Sequence, residues 1–362
     1  MKIRQQLKKK TQINKKGRTD VRLSLITHKG ETMNSNYNHY LDPEYFTKKE
    51  AQKKEIKYMG YFTGCALVCQ IVIENLLSKI IELTGMTEKY LSDGVFQNCV
   101  DIIIVSIGML VPFMIVGKKM KETSGEREPV ALGKPTSPLT FILAVVAGIG
   151  FCMFANIITT YFTLFVGFFG FELYSPDIPM PGGAVGVLTG LMRIVIVAAL
   201  TEELALRGYI MGNLRKYGDK FAILASSVVF ALMHGNLVQA PFALIAGFGL
   251  GYLSVKTGTI WTGIAIHAAN NFISMAVSYA IDILPEDTVN IIYAFILYGF
   301  MVFGMVSLWL LKSSDKLLSL RKDYLNTSVK EKMKFFFINP AMIPPIAYML
   351  YITARFIGFN LE

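Results

Sequence analysis

The sequence is poor in charge for its length. Of its 362 residues, 17% are charged and 53% are hydrophobic, whereas soluble globular proteins carry about 25% charged residues. The shortfall is concentrated, because several long stretches contain few charged residues or none. This pattern excludes an ordinary soluble domain and predicts segments that cross a lipid bilayer.

Cysteine is also scarce, and its spacing excludes two common uses. The four cysteines lie in or beside apolar stretches and form no CxxC pair. The sequence therefore predicts neither a disulfide framework nor a thiolate metal site. We expect Cys65, Cys69, Cys99 and Cys152 to be small buried hydrophobic residues.

Several familiar signatures are missing. The sequence has no HExxH zinc motif, no GxSxG nucleophile elbow and no GxGD pair. It shows no internal repeat, and its first apolar run begins near Tyr58. That position is too far along the chain for a cleavable signal peptide, so we expect none.

The apolar stretches predict an all-α, polytopic transmembrane bundle with about 8–9 spans. A mostly apolar run of about 18 or more residues is long enough to cross a bilayer as a helix. Two stretches are shorter, and the alternation of charge in the connections around them supports their inclusion. The predicted spans are Tyr58–Leu83, Val100–Gly117, Leu139–Phe171, Val185–Leu206, Phe221–His234, Pro241–Val255, Ile260–Ile281, Val289–Leu311 and Phe335–Ile352.

Glycine and proline indicate irregularities in two of these spans. Leu139–Phe171 is long enough for one tilted helix with a re-entrant or kinked end at Gly167 and Gly170. Pro344 and Pro345 lie within the last stretch, which predicts a kink or an interfacial position for it.

Positive charge is concentrated before the first span. The net charge is +10, and nearly all of the excess lies in residues 1–57. We predict that these residues form a largely disordered cytoplasmic tail and that residues 58–362 form the membrane domain. The basic residues lack interleaved aromatics, so we expect contact with anionic lipid headgroups and not with nucleic acid. Met33 is a candidate alternative start of translation.

The short connections indicate a multi-pass protein of a cell membrane, bacterial in character, with a cytoplasmic N-terminus. Lys118–Ser137, Arg215–Lys220 and Lys312–Lys334 are basic, whereas Glu172–Gly183 and Asp282–Asp287 contain no Lys or Arg. Alternating the spans places every basic connection on the inner side, in agreement with the positive-inside rule.

One part of the membrane domain concentrates ionisable side chains. Such groups cost about 2.5–3.5 kcal/mol each in a membrane helix, so their presence is a reason to expect a functional site. Glu202, Glu203 and Arg207 lie together at the end of one predicted span. Of the four histidines in the chain, His234 and His267 lie in membrane segments. We predict the functional core at residues 183–282.

The acidic pair divides into a brace and a reactive group. Glu203 and Arg207 are four residues apart, share a helix face and can form an ion pair. Glu202 lies about 100° further round the helix and has no basic partner at i+4. We therefore predict that Glu203 and Arg207 form a supporting ion pair, which we call the brace, and that Glu202 carries the chemistry.

Two further acids, Glu74 and Asp101, lie in predicted spans outside this cluster. Arg193, in the same span as Glu202, is a candidate ion-pair partner for one of them.

The predicted helices place the reactive groups at similar depths. Glu202, His234 and His267 lie about 10–20 Å from the inner ends of their helices at about 1.5 Å per residue, so they can meet in one cavity. Asn271 shares a face with His267, where its amide can bond the imidazole or a developing oxyanion. Asn270 lies on another face, and we expect it to pack or to cap.

A carboxylate, two imidazoles and an amide can act in two ways. They can activate water for amide-bond hydrolysis without a metal. Alternatively, Glu202, His234 and His267 can hold Zn²⁺ or another divalent metal and leave an open position for catalysis. The residues alone leave both possibilities open.

Three motifs in this region resemble those of a known family. EExxxR at 202–207, FxxxH at 230–234 and HxxxN at 267–271 occur in this order in predicted membrane helices. Together they resemble the CPBP family, which includes CAAX prenyl endopeptidases of the Rce type and bacterial Abi proteins linked to bacteriocin processing and self-immunity. The resemblance covers Gly183–Asp282.

The resemblance implies a glutamate-dependent intramembrane peptidase in a family often classed as metalloproteases. The resemblance implies that Glu202 and His234 activate water and that His267 and Asn271 stabilise the oxyanion. It also implies that Phe230 belongs to a supporting motif. The expected substrate is a membrane-associated peptide or protein, such as a bacteriocin or pheromone precursor.

Two other functions fit parts of the pattern. A protein of the same fold could act by binding alone, as a bacteriocin self-immunity protein or a scaffold, although the intact motif set argues against lost chemistry. The same Glu and His side chains could form the proton relay of a transporter. Inverted repeats and discontinuous helices, which many transporters have, are missing from the sequence.

Overall fold

The computed structural model describes residues 9–13, 19–23, 43–124, 133–135, 137–176, 178, 180–313, 317–323 and 325–359. The chain divides into two compact units, Met1–Lys48 and Lys49–Glu362. In the first unit, strands β1 (Lys9–Ile13) and β2 (Thr19–Leu23) pair in antiparallel register. The predicted disorder of the remaining residues up to 42 and the Met33 hypothesis lie outside the described residues.

From residue 43 onward the described chain is almost entirely helical. Two of its longest helices, α3 and α5, are interrupted by wider π-helical turns, which often occur at functional sites. The uninterrupted helices are α1 (Pro43–Leu83), α2 (Thr87–Ser92), α4 (Pro138–Phe168), α6 (Asp219–Met233), α7 (Ala240–Thr257), α8 (Ile260–Ile281), α9 (Glu286–Ser313), α10 (Val329–Phe337) and α11 (Ile343–Arg355). Helix α3 consists of Gly94–Val105, the π-helical turn Ser106–Leu110 and Val111–Ser124. Helix α5 consists of Gly183–Gly190, the π-helical turn Leu191–Val197, Ala198–Glu203, the π-helical turn Leu204–Met211, Gly212–Leu214 and the 3₁₀ turn Arg215–Tyr217.

Seven helices in the described part of the chain are long and apolar enough to cross a membrane. They are α1, α3, α4, α5, α7, α8 and α9, and each coincides with one of the nine predicted spans. The prediction of an all-α, multi-pass membrane protein is therefore confirmed. The predicted count was about 8–9 spans, and seven such helices are found in the described residues.

The other two predicted spans correspond to shorter helices. Helix α6 has 15 residues, and the last stretch is divided between α10 and α11, with 9 and 13 residues. The expected kink at Pro344 and Pro345 is not found, because both prolines lie in the first turn of α11. Proline is well tolerated there because the first turn of a helix does not use its N–H groups.

Two helix ends also differ from the sequence expectation. Helix α1 begins at Pro43 and not near Tyr58, so residues 43–57 are helical and not part of a disordered tail. This segment is rich in Lys and Glu, which favour helices. Helix α4 ends at Phe168 without a re-entrant segment, and Gly170 adopts a positive φ of 80°. The chain then enters strand β3 (Phe171–Leu173), which pairs antiparallel with β4 (Ile357–Phe359).

The cysteine expectation is correct only for Cys152, which is buried in α4. Cys65 is partly buried, and Cys69 and Cys99 are exposed. Since these two lie on long apolar helices that qualify as membrane spans, a small thiol can remain on the outer face of the bundle without contacting water.

Helix α7 lies at the centre of the bundle, where it packs against α4, α6 and α8. Small residues allow this close approach. A β carbon at Gly247 would lie 3.0 Å from the Phe230 ring, and one at Gly251 would lie 3.3 Å from Ile223. Gly247 and Gly251 therefore bring α6 and α7 together beside the reactive residues.

We predict that the packing of α10 on α1 depends on a glycine. A β carbon at Gly60 would collide with the backbone carbonyl of Phe336, whereas one at Gly299 in α9 would meet no described atom within 4 Å. Gly60→Ala should therefore destabilise the protein by about 1–3 kcal/mol, the usual cost of overpacking. Gly299→Ala should not lower stability. Thermal unfolding in detergent measures both, and a Gly60→Ala protein as stable as the Gly299→Ala control would contradict this packing.

Candidate functional site

A single cavity brings together the side chains that the sequence selects for chemistry. It has a volume of about 560 Å³, and Glu202, His234 and His267 all line it. Glu202 comes from the short α-helical part of α5, His234 follows the end of α6, and His267 lies within α8. The prediction that these three groups meet in one cavity is confirmed.

The predicted brace is present and completely buried. Arg207 Nη1 donates to Glu203 Oε1 over 2.7 Å, and neither side chain has exposed surface. Arg207 Nη2 donates to the carbonyl of Gly247 over 3.0 Å. The guanidinium also lies 4.8 Å from the centre of the Phe230 ring, a distance at which a cation is attracted to the ring face. The pair thereby joins α5 to α6 and α7.

The brace also holds one of the imidazoles. His267 Nδ1 lies 3.1 Å from Glu203 Oε1. Because an ionised carboxylate only accepts hydrogen bonds, Nδ1 is the nitrogen that carries the donated proton. His267 Nε2 then faces Glu202, whose Oε2 lies 3.8 Å away. That distance is too long for a direct hydrogen bond.

His234 is fixed by the chain reversal that ends α6. Its Nδ1 donates over 2.8 Å to the carbonyl of Phe230, so Nε2 is free to accept in the neutral imidazole. Gly235 adopts a positive φ of 61°, as glycine commonly does just after a helix. Buried Asn236 donates to the His234 carbonyl over 2.9 Å and accepts from the backbone N–H of Gln239 over 2.9 Å. The sequence reasoning missed Asn236, although a Gly-Asn pair directly after an apolar helix is typical of a turn.

The ring of Phe230 contacts the whole site. Its centre lies 4.8 Å from that of His234 and 5.8 Å from that of His267, and both contacts are edge-on. The Arg207 guanidinium lies on the same ring, so Phe230 contacts the brace as well as the two imidazoles. The aromatic residue of the FxxxH motif is therefore a structural support for both histidines.

The two asparagines after His267 differ from their predicted arrangement. Asn271 lines the cavity, but its amide donates over 2.9 Å to the carbonyl of Ile194 in the first π-helical turn of α5, and not to His267. Asn270, which we expected to pack or cap, also lines the cavity. Its Oδ1 is buried and has no hydrogen-bond partner among the described residues. The i+3 spacing from His267, which places two residues on one helix face, was the missed signal.

A second polar cluster lies at another part of the same cavity. Arg193 and Asp101 both line it and form an ion pair of 2.6 Å, so the predicted partner of Arg193 is Asp101 and not Glu74. Arg193 also donates to Asn98 over 2.9 Å, and the Tyr90 hydroxyl donates to Asp101 over 2.7 Å. Burial and the neighbouring Asp101 carboxylate raise the pKa of Tyr90 to about 12, so the phenol remains a donor at neutral pH.

The proposed metal ligands do not form a metal-binding arrangement. Within the described ranges, no three His, Cys, Asp or Glu side chains are placed to hold an ion. His267 Nδ1 is bonded to Glu203, and His234 Nδ1 is bonded to a backbone carbonyl. Both imidazoles thus keep Nε2 for another partner, an arrangement that metal-ligating histidines also use, so the metal set of Glu202, His234 and His267 stays a prediction.

We predict that the buried ion pair is essential for folding. Arg207→Met leaves the Glu203 carboxylate buried without its cation, which typically costs about 3–5 kcal/mol. The double variant Glu203→Gln, Arg207→Met removes both charges and should recover part of that loss. Lys79→Met removes a cation from the exposed pair with Glu82 and should change stability little. Thermal unfolding of the four proteins tests this, and an Arg207→Met protein with wild-type stability would refute the brace.

Comparison with known proteins agrees with the geometry. Residues 184–273 match the family model described as Type II CAAX prenyl endopeptidase Rce1-like. The matched segment includes Glu202, His234, His267 and Asn271. No curated protein and no solved structure matched the chain. The prediction of a CAAX-type intramembrane peptidase is confirmed at the level of the family, and the chain carries an Rce1-like domain of the CPBP family of CAAX proteases at residues 184–273.

Proposed function

We propose that this protein is an intramembrane endopeptidase that hydrolyses a peptide bond of a membrane-associated peptide or protein. The family supports CAAX-type protease activity in general. The observation that supports the mechanism is the convergence of Glu202, His234 and His267 on one cavity inside a bundle of membrane helices.

In this proposal Glu202 is the general base. Its Oε2 is buried and has no hydrogen-bond partner among the described residues, so this oxygen can accept a proton from water. The 3.8 Å between this oxygen and His267 Nε2 is a separation that one water molecule can bridge. The free Nε2 of His234 accepts the second hydrogen of that water and orients it. The water oxygen then attacks the carbonyl carbon of the scissile bond as Glu202 takes the proton.

His267 and Asn271 stabilise the negative charge that develops on the carbonyl oxygen. A protonated His267 donates from Nε2 to this oxygen, while Glu203 on Nδ1 compensates the charge of the imidazolium. Asn271 uses one amide hydrogen for the Ile194 carbonyl, which leaves the second for the oxyanion. The bond to Ile194 fixes the direction in which that second hydrogen points.

Glu202 then completes the reaction as a general acid. The proton that it took from water passes to the leaving nitrogen as the carbon–nitrogen bond breaks. The water oxygen and its other hydrogen remain with the new carboxyl group, so no further reactant is needed. A carboxylate oxygen without a hydrogen-bond partner among the described residues suits this two-way proton transfer better than Glu203, which is bonded to Arg207 and His267.

The rest of the cavity supports a peptide as the substrate. Its wall includes the polar side chains of Asn156, Thr159, Gln239 and Tyr293 beside apolar ones. Polar groups at membrane depth are costly unless they bind something polar, and a peptide backbone offers both donors and acceptors. From the distribution of Lys and Arg we propose a cell-membrane location with the N-terminus in the cytoplasm.

We predict that Glu202→Gln abolishes proteolysis without unfolding the protein. Loss of a general base typically costs about 10²–10⁴-fold in rate, and the substituted amide is nearly isosteric with the carboxylate. Cleavage of a membrane-anchored peptide library in liposomes measures the effect. Glu82→Gln, at an exposed site near the end of α1, is the matched control and should cleave normally.

The outcomes of this experiment separate the candidate functions. Cleavage that persists in Glu202→Gln would contradict the proposed base. If neither wild type nor variant cleaves a broad library, although both are folded, the result favours the binding or immunity role. Proton-dependent uptake of a solute into the liposomes that is lost in Glu202→Gln, with no cleavage by either protein, would indicate a transporter.

We also predict that proteolysis survives chelation. No three-ligand set is arranged for a metal among the described side chains, and every step of the proposed reaction uses only protein groups and water. Dialysis against a strong chelator should therefore leave the cleavage rate unchanged, with metal content followed by mass spectrometry. Loss of activity that added Zn²⁺ restores would overturn this proposal.

A further inference from the structure

Two buried oxygens beside the brace lack hydrogen-bond partners among the described residues. They are Oε2 of Glu203 and Oγ of Ser254, and neither residue has exposed surface. Buried polar atoms in native proteins nearly always bond to protein or to ordered water. Leaving either atom unbonded would cost about 1–3 kcal/mol, and more for the charged one.

The two oxygens both lie against α8 at Gly263. A β carbon at Gly263 would lie 2.7 Å from Glu203 Oε2 and 2.8 Å from Ser254 Oγ. Two atoms that close to a common point are no farther apart than a single bridging water can span. Gly263 is in α8, four residues before His267, and its φ is not positive. Glycine is therefore required here because the two oxygens approach the position of a side chain, and not because of the backbone conformation.

Ser254 also behaves differently from other buried serines of the bundle. Ser226 and Ser227 in α6 both donate to the carbonyl of Ile223, three and four residues earlier, as helical serines commonly do. Ser254 in α7 makes no such bond, although its neighbour Thr257 donates to the Leu253 carbonyl over 2.8 Å. Its hydroxyl is thus available for a partner outside its own helix.

We propose that Ser254 is a positioning residue for His267 and that it acts through Glu203. This inference rests on the proposed function. The Ser254 hydroxyl holds one bridging water, which donates to Oε2 of Glu203. The other oxygen of the same carboxylate holds Nδ1 of His267 and Nη1 of Arg207. The lack of a side chain at Gly263 lets both oxygens approach α8 at the same point.

The physical reason lies in the geometry of the carboxylate. Arg207 and His267 both bind Oε1, so these two bonds alone leave the carboxylate free to rotate about that oxygen. A third bond on Oε2 fixes its plane, and with it the direction of the His267 ring toward Glu202. Misplacement of a reacting group by about 1 Å can cost roughly a hundredfold in rate. A neutral hydroxyl supplies this constraint without placing a second cation beside the buried pair.

A double-mutant cycle tests whether Ser254 acts through Glu203. We expect Ser254→Ala to lower kcat about tenfold with KM within about twofold, a part of the loss that misorientation can cause. In a Glu203→Gln background the same change should have no further effect, because the carboxylate that it positions is gone. Ser226→Ala removes an equally buried hydroxyl away from the cavity and should leave kcat unchanged in both backgrounds.

Gly263→Ala is the second variant, for use if Glu203→Gln fails to fold. Its methyl group would collide with both oxygens and push them apart, so it should reduce kcat as Ser254→Ala does. The double variant Ser254→Ala, Gly263→Ala should lose no more kcat than Gly263→Ala alone. A Ser254→Ala protein with the kcat of the wild type would overturn the proposal. An equal loss of kcat in the wild-type and Glu203→Gln backgrounds would overturn it as well.

The same proteins give a test that needs no substrate. In thermal unfolding, Ser254→Ala should lower the Tm of the wild type and leave that of Glu203→Gln unchanged, since both changes remove the same bridge. If the protein proves not to cleave peptides, this cycle still decides whether Ser254 and Glu203 interact. Cleavage by the wild type without coupling in either measurement would reject the role of Ser254 and leave the proposed peptidase intact.

Discussion

The buried ion pair between Glu203 and Arg207 is the interaction on which the rest of the site depends. Two charges without exposed surface are expensive unless they pair and make further hydrogen bonds. Here the guanidinium also binds the Gly247 carbonyl and the Phe230 ring, and the carboxylate also binds His267. These contacts tie α5 to α6, α7 and α8, and they account for Gly247, at which α7 approaches Arg207 and Phe230 closely.

The pair also explains how two adjacent glutamates can have different roles. Successive residues of a helix face different directions, so Glu203 points into the packed interior while Glu202 lines the cavity. The first carboxylate is committed to a cation and an imidazole, whereas the second has no cation within bonding distance other than His267 at 3.8 Å among the described residues. The same helix turn therefore supplies a rigid support and a carboxylate available for proton transfer.

Features that depend on local spacing or on total apolar length were predictable from the sequence. The seven long spans follow from runs of apolar residues, and the Glu203–Arg207 pair follows from i,i+4 spacing. The convergence of Glu202, His234 and His267 followed from helix rise alone. In each case the prediction uses spacing within one helix, or the similar distance of residues in different helices from the inner ends of those helices.

Features that depend on partners from other elements were not predictable. Asn271 bonds the carbonyl of Ile194 and not His267, because the first π-helical turn of α5 packs against α8 at this point. The orientation of the two imidazoles is likewise set by groups that the motifs do not specify, a carboxylate of α5 for His267 and a backbone carbonyl for His234. The division of the last predicted span into α10 and α11 depends on prolines that begin a helix rather than bending one.

The central claim is that a water molecule activated by Glu202 attacks the peptide bond directly. Single-turnover cleavage in water enriched in ¹⁸O, with mass spectrometry of the product and of the peptide containing Glu202, tests it most directly. The account predicts one ¹⁸O atom in the new carboxyl group of the product and none in Glu202. Incorporation of ¹⁸O into Glu202, with an unlabelled product in the first turnover, would show that Glu202 attacks as a nucleophile and would contradict the account.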